Sequence, residues 1–77
     1  MKDVQITTEP IQLYKLLKLE SMVTSGGEAK MVISEGHVMV NGEVETRKRK
    51  QIVSGDIITF GDDTIRVQLG LVDNKQE

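Results

Sequence analysis

The 77-residue sequence has no cysteine or tryptophan, and only one proline, one histidine, one tyrosine and one phenylalanine. Without cysteine there is no disulfide and no thiolate metal site. A single histidine, His37, cannot build a His-rich metal site or a histidine relay within one chain. Two aromatics, Tyr14 and Phe60, are too few for the stacking platform of a single-strand nucleic-acid binder. Apolar runs stop at three or four residues, against ~20 for a membrane span. The opening Met1-Lys2-Asp3-Val4-Gln5 lacks the apolar stretch of a signal peptide. A soluble cytoplasmic protein with no membrane partner is expected.

What is present reads as one small domain. Hydrophobic residues make up 38% and charged residues 29%, within the globular range. The domain is expected over residues 1–70, with a polar tail over 71–77. The net charge of −2 hides an uneven distribution. Residues 1–46 and 51–77 are each net acidic, and between them stands Arg47-Lys48-Arg49-Lys50. Four adjacent like charges repel, so folding alone gives no reason to gather them. They read as an anion site suited to a phosphate backbone, or as a solvated loop that aids solubility.

Residues 2–7 alternate, with Val4 and Ile6 on one face, and predict a strand. The sequence leaves open whether that strand pairs within the domain or with a second copy. Thr7-Thr8-Glu9-Pro10 is a helix-start signal, with proline in the first turn. The helix runs to about Leu19, burying Leu13, Leu16 and Leu17, with Lys15 and Lys18 on the opposite side. Ser25-Gly26-Gly27-Glu28 has capping-box spacing: Ser25 accepts from the third N–H, and Glu28 bonds back to the Ser25 N–H. A second helix follows with Ala29, Val32 and Ile33 inward, and Gly36 ends it. Val38 and Val40 then begin a hairpin, with Asn41-Gly42 as its turn and Val44 on the return strand. Residues 52–53 and 57–60 are strands about a turn at 54–56. Residues 64–69 alternate, with Ile65, Val67 and Leu69 on one face. The order strand, helix, helix, four short strands predicts an α+β fold, two helices packed on a small mostly antiparallel sheet.

Little here supports catalysis or cofactor chemistry. His37 reads as a turn residue, with a phosphate contact near the start of the second helix as the alternative. Asp56, Asp62 and Asp63 sit at turns, where aspartate bonds nearby backbone, and lack the ligand spacing of a calcium loop. No Ser or Thr has a His or Lys partner at a catalytic spacing, and Gly26-Gly27 lacks the phosphate-loop pattern. No enzyme activity, metal or cofactor is expected. The start of the second helix, Ser25-Gly26 with Lys30 one turn on, suits an anion, although a capped helix start needs no ligand.

These residues resemble a known family. The leucines of the first helix, Ser25, Ala29-Lys30, the stretch Gly36-His37-Val38-Met39-Val40-Asn41-Gly42 and Gly55-Asp56-Ile57-Ile58 follow the pattern of the S-four-type RNA-binding domain, or alpha-L RNA-binding motif. The resemblance spans residues 11–60, and Glu45-Thr46-Arg47-Lys48-Arg49 is similar to small stand-alone bacterial members, the YbcJ-like or YaaA-like proteins. It implies an RNA-binding surface made by the two helices and the adjoining hairpin. By position Lys30 matches the basic residue of the second helix, Ser25 the serine that opens it, and Asn41 the hairpin asparagine. The chain departs from the family in having Gln12-Leu13-Tyr14 for Arg-Leu-Asp and Ser25-Gly26 for Ser-Arg. The charge of those two absent arginines is expected on Arg47, Lys48, Arg49 and Lys50.

The leading expectation is a non-catalytic module that docks on the phosphates of structured RNA, ribosomal RNA or tRNA. Arg47, Lys48, Arg49 and Lys50 form the clamp, Lys15, Lys18 and Lys30 lie beside it, Ser25 and Asn41 set position by hydrogen bonds, and Gly26 lets a phosphate come close. With so few aromatics, it would read backbone shape rather than splayed bases. The alternative is a protein-interaction module whose basic segment meets an acidic partner, such as a ribosome-associated protein. A ubiquitin-like sulfur carrier would need a Gly-Gly end, and this sequence ends Asn74-Lys75-Gln76-Glu77.

Overall fold

A computed structural model describes residues 1–70; the expected tail over 71–77 lies outside them. The alternating run 2–6 forms strand β1 (Lys2–Ile6), burying Val4 and Ile6. A two-residue strand β2 (Ile11–Gln12) leads into helix α1 (Leu13–Leu19), and α2 is Gly26–Ser34. Five strands follow: β3 (Val38–Val40), β4 (Glu43–Val44), β5 (Gln51–Ile52), β6 (Ile57–Phe60) and β7 (Asp63–Leu69). The main sheet has the order β1-β7-β6-β3-β4 and is antiparallel except for β1, which pairs parallel to β7. The first strand therefore pairs within the chain. β2 and β5 form a separate antiparallel pair, Ile11 opposite Ile52. One apolar cluster joins Leu13, Leu16 and Leu17 of α1, Ala29, Val32 and Ile33 of α2, and the inward residues of the strands.

The first helix starts later than its signal suggests. Pro10 is not in its first turn, because residues 11–12 are extended and pair with 51–52. Gln12 occupies the N-cap without a side-chain bond. The first N–H groups of α1 donate instead across the chain, Leu13 N to the Lys50 carbonyl at 2.9 Å and Tyr14 N to the Lys48 carbonyl at 3.1 Å. Donors that a helix must satisfy are thus met by tertiary contact. Glu9, read as part of the start signal, accepts from the Ser54 N–H at 2.8 Å.

The second helix begins as its spacing predicts, with Ser25 Oγ accepting from Glu28 N at 3.1 Å. The Glu28 carboxylate reaches one residue further back than expected, to the N–H and hydroxyl of Thr24, both at 2.8 Å. Gly36, at φ +83°, ends the helix in a full Schellman motif: its N–H donates to Ile33 O and the His37 N–H to Val32 O. Asn41 and Gly42 both have positive φ, 54° and 84°, the type I′ turn that their dipeptide favours.

Three other expectations change. The strands flanking the turn at 54–56 do not pair with each other; β5 goes to β2 and β6 to the main sheet. Leu69 lies at the exposed end of β7, past the core that takes Ile65 and Val67. His37 is exposed beyond the C-terminal end of α2, with Nε2 3.4 Å from Glu35 Oε1, so it is not near that helix's start.

Candidate nucleic-acid interface

The basic run forms a turn closed by the Lys50 N–H donating to the Arg47 carbonyl at 3.1 Å. Its backbone is tied down, because the Lys48 and Lys50 carbonyls hold the start of α1. With the main chain occupied, the side chains of Arg47, Lys48 and Arg49 project into solvent and Lys50 is half-buried. These four residues, with Ser34, Thr46 and Gln51, surround an open depression of about 730 Å³. The repulsion expected of four cations is relieved at one place. Glu45, whose side chain is only 12% exposed, accepts from Arg47 Nε at 2.9 Å, Nη2 at 3.1 Å and the Arg47 backbone N–H at 2.9 Å. The guanidinium hydrogen bonds, chiefly, hold the Glu45 carboxyl down at about 2. Arg47 itself remains 72% exposed, so its orientation is fixed while its outer face is open.

A second depression, of about 640 Å³, lies between α1 and the start of α2 and is lined by Tyr14, Lys15, Lys18, Leu19 and Gly26. Lys30 reaches it from α2, its Nζ 5.0 Å from the centre of the Tyr14 ring, and Lys15 Nζ stands 6.0 Å from the same ring. The two basic regions are neighbours, because the Tyr14 N–H donates to Lys48 within the basic turn. Arg47 to Lys50, Lys15, Lys18, Lys30, Gly26 and its N-cap Ser25 thus gather along the two helices and the segment following the hairpin.

Asn41 sits apart in function. Its Oδ1 accepts from Ile57 N at 2.9 Å and its Nδ2 donates to Asp56 Oδ1 at 3.1 Å, fastening the hairpin turn to the 53–57 segment. Asp56 also accepts from Val53 N at 3.0 Å. Ser25 Oγ is likewise occupied in capping α2. Sequence reasoning missed Tyr14 and Leu19 as parts of the surface. Each stands at a margin of the buried stripe Leu13, Leu16 and Leu17, where an apolar residue reads as core.

The fold and this surface define a class, and comparison with known proteins agrees. The chain belongs to the S4 domain family, whose model matches residues 4–68. YbcJ of Escherichia coli is 47% identical over 57 residues, 74% of this chain and 81% of that protein. RlbA of Bacillus subtilis, named for ribosome maturation, is 40% identical over 55 residues, 71% of this chain and 78% of RlbA. The solution structure of E. coli YbcJ, described as revealing an alpha-L motif involved in RNA-binding, superposes with a TM-score of 0.68. It is 42% identical and covers 88% of this chain and 87% of its own. No helix among the described residues is long and apolar enough to cross a membrane.

Proposed function

We propose that this chain is a non-catalytic RNA-binding module of the cytoplasm that docks on the phosphate backbone of structured RNA, ribosomal RNA or tRNA. The observation that carries this reading is the basic turn, whose backbone is spent on α1 while its cations face outward beside Lys15, Lys18 and Lys30. Its relatives' names, one an RNA-binding protein and one a ribosome maturation protein, support the same class of target. Arginine bonds phosphate oxygens in pairs, and lysine acts as a point charge. Ser25 and Asn41 serve the surface by holding α2 and the hairpin in place.

Fluorescence anisotropy against a folded ribosomal RNA fragment and an unstructured oligonucleotide tests this. If about five phosphates are neutralised, log affinity falls against log salt with a slope of roughly −3.5 to −4.5. The informative variant combines Lys48→Ala, Arg49→Ala and Lys50→Ala. It keeps Arg47 because Glu45 would otherwise lose its partner, and it leaves the carbonyls that hold α1 intact. Its slope should flatten by roughly 2 to 2.7. Equal binding to both RNAs reduces the surface to a general polyanion site. No binding at low salt overturns the reading and favours an acidic protein partner.

A further inference from the structure

The depression between α1 and α2 contains more than charge. Leu19 is 60% exposed on its wall, and half-buried Tyr14 lines it as well. A duplex backbone offers phosphate and sugar, which suit Lys15 and Lys18 but give Leu19 and the ring no apolar counterpart. An unpaired nucleotide offers both, a flat base and its flanking phosphates. There is room for it: an added Cβ at Gly26 would have nothing within 4 Å. The cations are available too, since among the described residues none of Lys15, Lys18 and Lys30 is ion-paired to a carboxylate.

We infer that this depression seats one unpaired nucleotide of the RNA, its base against Tyr14 and Leu19 and its phosphates on Lys15, Lys18 and Lys30. The inference rests on the RNA-binding reading and narrows its target to a stem interrupted by a bulge or ending in a loop. In the free protein the Lys30 ammonium lies near the ring, 5.0 Å from its centre. On docking it exchanges the ring for a phosphate and the base takes its place, because stacking outweighs an exposed cation–π contact. One aromatic suffices for one base, and the basic turn holds the adjoining stem.

The experiment compares a fully paired hairpin stem with the same stem carrying a single bulged 2-aminopurine. The wild-type protein should bind the bulged RNA about tenfold more tightly, with a change in 2-aminopurine fluorescence on binding. Tyr14→Leu, with an unchanged circular-dichroism spectrum as its fold control, should abolish both the preference and the fluorescence change, and Tyr14→Phe should keep both. Leu19→Ser, on an exposed side chain, should lower the preference without affecting the fold. Equal affinity of the wild type for the two stems overturns the inference and leaves the RNA-binding reading standing. So does a preference that survives Tyr14→Leu. Binding of neither stem overturns both.

Discussion

Glu45 and Arg47 illustrate how one residue can decide the behaviour of a cluster. The Glu45 carboxyl, held at about 2 against an ordinary 4.5, is depressed in the folded state. The stability it contributes is fully present above about 4.5 and is lost as pH falls from there toward 2. Thermal melts of the wild type and Glu45→Gln should therefore differ at pH 7 and converge near pH 2. A constant gap would mean the pair contributes packing rather than charge. Asn41 gives a second test at this scale. It combines a left-handed backbone, φ 54°, with two side-chain bonds to the 56–57 segment. Asn41→Ala should cost about 2–3 kcal/mol, the sum of a strained φ and lost hydrogen bonds, by urea unfolding. Asn41→Gly relieves the strain but not the bonds and should cost about 1 kcal/mol.

Among the elements, the helix ends form a natural comparison. Both close in a Schellman motif. In α2 the left-handed position is Gly36, with φ +83°, and in α1 it is Ser21, with φ 60°. The α1 bonds run from Ser21 N to Lys18 O at 3.1 Å and from Met22 N to Leu17 O at 2.9 Å. A side chain in that conformation costs about 1–2 kcal/mol. Gly36→Ala should destabilise by about 1 kcal/mol, from backbone alone, since its Cβ would meet Val44 Cγ1 at an ordinary 3.7 Å. Ser21→Gly should stabilise by up to about 1 kcal/mol. Opposite signs in chemical denaturation are the result expected. The second helix was legible because its cap, Ser25, and its stop, Gly36, are its own residues. The start of the first was not, because Leu13 and Tyr14 donate to carbonyls more than thirty positions away.

For the molecule as a whole, the parallel β1–β7 pair joins the first strand to the last described one. Val4 and Ile6 lie in the core at 4% and 1% exposure. Ile6→Ala should cost about 2–5 kcal/mol, much of what a domain of this size holds, and far-UV circular dichroism would register the loss. Asp3 and Arg66 face each other across the same pair, with Nε 2.8 Å from Oδ1, but on the exposed side. Asp3→Asn should change stability by less than about 1 kcal/mol. The contrast separates what the sheet's inner face does from what its outer face decorates.

Features with local signals were legible in the residues alone. Periods of two and 3.6 marked the strands and helices, Asn41-Gly42 marked the hairpin turn, Ser25 and Gly36 bounded the second helix, and the motif at 36–42 carried the family resemblance. Each depends on residues a few positions apart, which interact wherever the rest of the chain lies. Packing between distant segments set the parallel pairing of β1 with β7, the pairing of 11–12 with 51–52, and the hold of the basic turn on the start of α1. The same packing brought Lys30 of α2 over the Tyr14 ring of α1. Those outcomes depend on contacts between distant segments, and a backbone carbonyl carries no mark in the sequence of the N–H it will meet.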